Sequence, residues 1–199
     1  MRKITVFMIL IFMLFLTACG GGRVLSLGDS FEEDLGVNGR LEYTIKAARL
    51  GEMPVGAGGF LEDSHVTVDG VSYVYPDFLT NGALVSGARL VLLDIEVLNV
   101  DADNAGRYEE PYVFRADSIV TLADRSDKAG TGGYAYIDAG YFSLLGGCAE
   151  HDMAYELKPG ESITFTLGFL VDSGRQLRDL YACTASGSTD AAFIELGLS

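Results

Sequence analysis

The 199-residue sequence predicts an all-β protein built as two packed antiparallel sheets, and three observations carry that prediction. Apolar side chains recur at every second position in several separate runs. Clusters of Gly, Asn and Asp divide those runs at the spacing of turns. Beyond the first apolar segment, no stretch keeps a helical period. With 49% hydrophobic and 21% charged residues, the chain can bury one real core but is short for two ordinary domains. Twenty-eight acidic against 14 basic residues give a net charge of -14, which excludes a nucleic-acid partner, whose phosphates require a basic face. A balance of Gly 25, Pro 4 and Trp 0 fits neither a disordered nor a collagen-like chain.

The first element is an address rather than part of the fold. Met1-Arg2-Lys3 is a basic start, and residues 4–16 follow with Thr5 as their one polar position. That run is too short to cross roughly 30 Å of hydrocarbon comfortably, but it suits the apolar part of a secretory signal. It ends in Leu16-Thr17-Ala18-Cys19, which closely resembles the lipobox of bacterial lipoproteins. The resemblance implies a signal peptide over residues 1–18 and lipidation of Cys19, with the protein held by acyl chains on the outer face of the membrane. Cleavage there would remove two of the 14 basic residues, leaving 12 against 28 acidic ones, or -16. Residues 19–23, with Gly20, Gly21 and Gly22, then form a flexible tether reaching at most about 15 to 20 Å. The domain over residues 24–199 would therefore work close to the lipid surface.

The strands follow in chain order. Residues 40–47 place Leu41, Tyr43, Ile45 and Ala47 on one face and Glu42, Thr44 and Lys46 on the other, the pattern of a half-buried strand. Residues 65–68 and 71–75 flank Asp69-Gly70, the chemistry of a tight hairpin. Residues 89–100 put Val91, Leu93, Ile95 and Val97 inward, with Asp94 and Glu96 opposite beside Leu92 and Leu98; a helix would carry the two acids into the apolar stripe. Residues 112–122 and 193–198 are further β-rich runs. Residues 162–171 point Ile163, Phe165, Leu167, Phe169 and Val171 inward. They follow Lys158-Pro159-Gly160, whose Pro-Gly pair favours a type II turn and a hairpin with residues 153–157.

Four segments carry a family resemblance. Leu27-Gly28-Asp29-Ser30 soon after the lipidated Cys, the strand over residues 39–45, Asp94-Ile95-Glu96-Val97-Leu98-Asn99, and Leu157-Lys158-Pro159-Gly160-Glu161 are similar to the uncharacterised immunoglobulin-like, telokin-like lipoproteins of bacteria. The resemblance spans most of residues 24–199, with insertions around 51–88 and 125–150. It implies an immunoglobulin-like antiparallel β-sandwich with inserted hairpins and loops, located in the cell envelope; it implies no activity.

The chemistry-bearing patterns are incomplete. Residues 24–31 resemble the first block of the GDSL hydrolases, in which the position of Ser30 is a nucleophile. Such a serine needs an imidazole, supplied in that family by a His three residues after an Asp. The two histidines, His65 and His151, follow Glu62 and Cys148 at that spacing, and a Gly-x-Asn-Asp oxyanion block is missing. The simpler reading is a turn opening the first strand. Cys148, Glu150, His151 and Asp152 suggest a nucleophile pair or part of a zinc site, but no second close-spaced pair completes four ligands. Once Cys19 bears lipid, Cys148 and Cys183 are the remaining cysteines of an exported chain, so a disulfide between them is expected.

Asp101-Ala102-Asp103-Asn104-Ala105-Gly106 matches an EF-hand loop at its first, third and sixth positions. Ala105 and Tyr112 stand where an oxygen and a bidentate Glu are needed. Asp101, Asp103 and Glu109 are thus only weak calcium candidates, with a solvated acidic turn as the plain reading, and neither a metal nor a cofactor is expected. The glycine runs at 56–59 and 130–133 are loops, since no strand-to-helix pattern or Lys-Ser/Thr completes a phosphate cradle. Tyr73, Tyr75, Tyr112, Tyr134, Tyr136 and Tyr141 are expected to pack in the core or at edges, although clustered at a loop end they would make a stacking platform.

Together these features lead to a non-catalytic, lipid-anchored extracellular binding module, its partner a protein, a peptide or an envelope component. The alternatives are a surface ester hydrolase using Ser30 and a structural subunit of a cell-surface assembly.

Overall fold

The period-two runs become the three long strands at the centre of one sheet. A computed structural model describes residues 23–54, 65–68, 71–74, 79–80, 83–84, 87–103, 112–116, 119–125, 135–136, 141–150, 153–184 and 192–199. Its strands are β1 (Arg23–Ser26), β2 (Ser30–Asp34), β3 (Arg40–Gly51), β4 (His65–Val68), β5 (Val71–Val74), β6 (Leu79–Thr80), β7 (Ala83–Leu84), β8 (Arg89–Asn99) and β9 (Tyr112–Arg115). They continue with β10 (Val120–Asp124), β11 (Ala135–Tyr136), β12 (Tyr141–Leu145), β13 (Cys148–Glu150), β14 (Ala154–Leu157), β15 (Ser162–Val171), β16 (Leu180–Thr184) and β17 (Ala192–Glu195). A six-stranded sheet runs β13-β12-β15-β8-β3-β2, and a five-stranded sheet runs β1-β17-β16-β10-β11. The pairs β14-β9, β4-β5 and β6-β7 form three small ribbons.

The two large sheets face each other across one core, which makes the fold a β-sandwich, antiparallel in all but one of its described strand pairs. From the six-stranded sheet, Tyr43 and Ile45, then Val91, Leu93, Ile95 and Val97, then Phe165, Leu167 and Phe169 are buried, as their alternation requires. Leu25, Val120, Leu122, Leu180, Ala182 and Ile194 meet them from the other sheet. Each such side chain contributes about 1.5–3 kcal/mol on full burial, so the alternation carries most of the drive to fold. The Lys158-Pro159-Gly160-Glu161 turn forms, but it does not close the expected hairpin: the chain changes sheet there, so β14 pairs with β9 while β15 pairs with β8 and β12. Glu161 N–H donates to the Lys158 carbonyl at 2.9 Å, and Gly160 takes the positive φ of 82° that a type II turn demands.

Asn99 ties this turn to the end of β8. Its side chain is fully buried, with Nδ2 donating to the carbonyls of Ala102 at 2.9 Å and Leu157 at 2.8 Å, while Oδ1 accepts from Ala102 N–H at 2.6 Å. The crossover between the sheets, from β15 to β16, is held by ion pairing. Arg175 Nη1 lies 3.2 Å from the buried carboxylate of Asp124 at the end of β10. Arg89 donates from Nη2 to the carbonyl oxygens of Asp172 and Arg175 in the same connection.

Four other features depart from the sequence reading. Ala47 does not join Ile45 on the inner face: the register shifts between Ile45 and Ala47, so Ala47 stands opposite Asp94 on the outer side. The run over 112–122 is not continuous. It splits into β9 and β10, which belong to different sheets, around a turn in which Ile119 N–H donates to the Ala116 carbonyl at 3.4 Å. β1 pairs with β17 in parallel, so the five-stranded sheet is mixed. Within the stretch read as an insertion, β12 and β13 form a hairpin whose Gly146 and Gly147 have φ of 60° and 85°, the signs required by a type I′ turn.

Candidate functional site

The Leu27-Gly28-Asp29-Ser30 segment is the link by which the chain leaves one sheet and enters the other. Gly28, at φ 88°, donates its N–H to the Ile45 carbonyl at 2.8 Å. Asp29 Oδ2 accepts from Ser26 N–H at 2.8 Å, and Asp29 N–H donates to the Ser26 carbonyl at 3.1 Å. An aspartate that closes its own turn is an ordinary device of strand connections. Ser30 then opens β2 opposite Thr44, and their hydroxyl oxygens are 2.9 Å apart in a cross-strand hydrogen bond. The imidazoles of His65 and His151 lie outside the described residues, as do Glu62 and Asp152.

Ser30 belongs to the outer face of the six-stranded sheet, which collects the polar halves of the alternating strands. One cross-strand row is Glu32, Glu42, Leu98 and Ser162; the next is Ser30, Thr44, Glu96 and Thr164. Between the rows lies a shallow concavity of about 150 Å³ lined by Glu42, Thr44, Glu96, Leu98 and Ser162. It is smaller than a pocket for a drug-sized ligand, which needs roughly 300 Å³ or more, and has room for the end of one side chain. Lys46 Nζ lies 2.6 Å from Glu96, and the bulge at Lys46 also brings Arg49 round to pair with Asp94. Asp94 accepts a second bond, from Thr166 Oγ1 at 2.6 Å. Glu42 makes no ion pair among the described residues.

At the end of this face Arg40 Nη2 contacts Asp101 at 3.0 Å and Nη1 contacts Glu32 at 3.5 Å. The side-chain bond from Arg40 holds the Asp101 carboxyl below the usual carboxylate range, and the same bond raises the Arg40 guanidinium. On the inner side of β2, Tyr43 donates its hydroxyl to Glu33 at 2.5 Å. Burial first, and then this bond to the carboxylate, push the Tyr43 phenol far above its usual range. Tyr112 is half-buried beside the core, and its phenol is raised by burial and by the charge of Glu33. Both tyrosines act as uncharged packing residues.

The other sequence candidates are dispersed. No disulfide joins Cys148 to Cys183, contrary to expectation. The reason is topological: Leu180 and Ala182 of β16 face the shared core, which turns Cys183 away from the sheet carrying Cys148. Cys183 is buried in a satellite cluster with Ala123, Tyr181 and Phe193, while Cys148 lies exposed at the β12–β13 hairpin. Asp101 is engaged by Arg40, and Asp103 N–H donates to the Asn38 carbonyl at 2.9 Å. Glu109 lies outside the described residues, and no three metal-ligating side chains converge among those described. Residues 1–22 with Cys19, both glycine runs, Tyr75 and Tyr134 also fall outside them, as do the side chains of His65, Tyr73, Tyr136 and Tyr141.

Sequence reasoning missed the grouping of Glu42, Thr44, Glu96 and Ser162. Its signal was present in the polar positions of three alternating strands, but only the register says which of them stand side by side. Chemically the face offers fixed carboxylates and hydroxyls to a polar or cationic partner. No family model and no curated protein matches the chain. Among solved structures, the chain is similar to an uncharacterized beta-sandwich protein from Clostridium difficile 630, with a TM-score of 0.45 and 9% identity, over 89% of this chain and 95% of that one.

Proposed function

We propose that the protein is a non-catalytic binding module, anchored through Cys19 to the outer face of a bacterial membrane, that recognises an extracellular protein, peptide or envelope component. The observation that carries this reading is the position of Ser30. Its hydroxyl is shared with Thr44 in a strand-to-strand bond on an open polar face, whereas a nucleophile must surrender its proton to a base. The neighbouring charges on this face pair with one another, Lys46 with Glu96 and Arg49 with Asp94. The signal-like start, the Leu16-Thr17-Ala18-Cys19 motif and the glycine tether support the location.

Two measurements test it together. Cys19→Ser is expected to abolish palmitate labelling and to release the protein from membranes; retained labelling refutes the anchor. A panel of short-chain esters is expected to give no turnover above buffer. Hydrolysis that disappears in Ser30→Ala would establish the enzymatic alternative instead.

A further inference from the structure

We propose that the free edge of β2 receives an extended basic segment of a partner protein as an added strand; this rests on the binding-module reading and names its partner class. β2 is the last strand of the six-stranded sheet, so one side of its backbone has no strand beside it among the described residues. The register says which groups face that side. Leu35 and Gly39 continue the β2–β3 pairing, and Leu35 N–H donates to the Gly39 carbonyl at 2.8 Å. Hydrogen-bonded pairs alternate in an antiparallel ladder, so Glu33 with Leu41 and Phe31 with Tyr43 bond across to β3. Ser30, Glu32 and Asp34 therefore direct their N–H and C=O groups outward, the arrangement that accepts a further strand.

Charge selects what that strand is. Glu32, Glu33 and Asp34 occupy three of the five positions of β2. Glu32 stands directly opposite Glu42 at a non-hydrogen-bonded pair, where side chains come closest and like charges repel. Arg40 offsets the repulsion only at Glu32, from 3.5 Å. An incoming residue opposite Glu32 sits at a hydrogen-bonded pair with its side chain on the outer face. A lysine there reaches Glu32 at once and Glu42 one strand further, beside the concavity floored by Leu98. The same charges disfavour a second copy of this chain, because self-pairing of β2 sets its acids against each other. The other edges of the two large sheets are less suited: β13 has three residues, β11 has two, and β1 carries Arg23 in place of acids.

The experiment titrates the full chain with a labelled, acetylated and amidated octapeptide of alternating Lys and Thr. Three comparators accompany it: the same peptide with each lysine amide N-methylated, a Glu-Thr counterpart, and the Glu32→Gln/Glu42→Gln double variant of the protein. Saturable binding is expected, with amide shifts at Ser30, Glu32 and Asp34. N-methylation, which keeps charge but removes the ladder donors, should weaken it by about tenfold or more, and the double variant by about fivefold. The Glu-Thr peptide should not bind. No saturable binding, equal affinity after N-methylation, equal affinity for the acidic peptide, or concentration-dependent pairing of the chain through β2 would each overturn the proposal. Those failures leave the anchored module intact, whereas Ser30-dependent ester turnover would remove the module reading without altering a peptide affinity.

Discussion

Replacing Asn99 by Asp tests the fold at its most concentrated polar contact. The change keeps the shape of the side chain but exchanges Nδ2, which donates to the Ala102 and Leu157 carbonyls, for a carboxylate oxygen facing the same two acceptors. The bond accepted from Ala102 N–H survives. Because position 99 is fully buried, the new charge has neither water nor a cation to compensate it. An uncompensated buried charge costs about 3–5 kcal/mol, and each orphaned carbonyl belongs to the same penalty rather than adding to it in full.

Burial and two facing carbonyls raise the folded-state pKa of the introduced acid above its unfolded value, so the folded protein binds the proton more tightly. The variant's deficit relative to wild type is therefore largest at neutral pH and shrinks as pH falls through the raised pKa. It levels off once pH passes below the ordinary Asp range of roughly 4. The protonated acid regains one donor, leaving a deficit of about 1–2 kcal/mol for the second carbonyl. Urea unfolding followed by far-ultraviolet dichroism measures this, since the chain has Trp 0 and offers no indole fluorescence. A deficit below about 1 kcal/mol at pH 7, or one equal at pH 7 and pH 4, refutes the argument that the Asn99 amide closes the turn between β14 and β15.

Two further outcomes follow from the Arg40–Asp101 pair and from the burial of the two cysteines. Arg40→Met should lower the urea midpoint at neutral pH, and the difference from wild type should vanish as acid protonates Asp101. The folded pKa of that carboxyl is depressed, so its contribution is present above the unfolded value and lost as pH falls through the folded one. A difference unchanged by acid would mean that Asp101 is not the partner. Iodoacetamide added to the folded chain should label Cys148 within minutes and leave Cys183 unmodified until denaturant is present, as read by peptide mass mapping; neither site labelling after denaturation would restore the disulfide.

The parts of the fold legible in the sequence are those with one wet and one dry face. β3, β8 and β15 alternate where their sheet has solvent on its outer side, as over residues 93–98 and 164–167, and the Pro-Gly turn before β15 announces its own backbone geometry. β16 gives no such signal, because Leu180, Tyr181, Ala182, Cys183 and Thr184 are buried on both sides of the sheet. The expected disulfide failed for the same reason: cysteine arithmetic treats every pair as bridgeable and does not see that alternate residues of β16 face opposite ways. The extra residue at the Lys46 bulge lies hidden in a run that still looks regular, yet it decides that Arg49 meets Asp94. The candidate face was half legible, its polar residues evident and their adjacency not, since register depends on contacts between strands far apart in the chain.

The parallel match of Arg23–Ser26 to Ala192–Glu195 also has a mechanical meaning. Any load entering at Arg23 and directed along β1 meets evenly spaced bonds that strain together instead of opening one by one. Arg23–Ser26 thus act as a lap joint sewn to β17, suited to a lengthwise pull applied at Arg23.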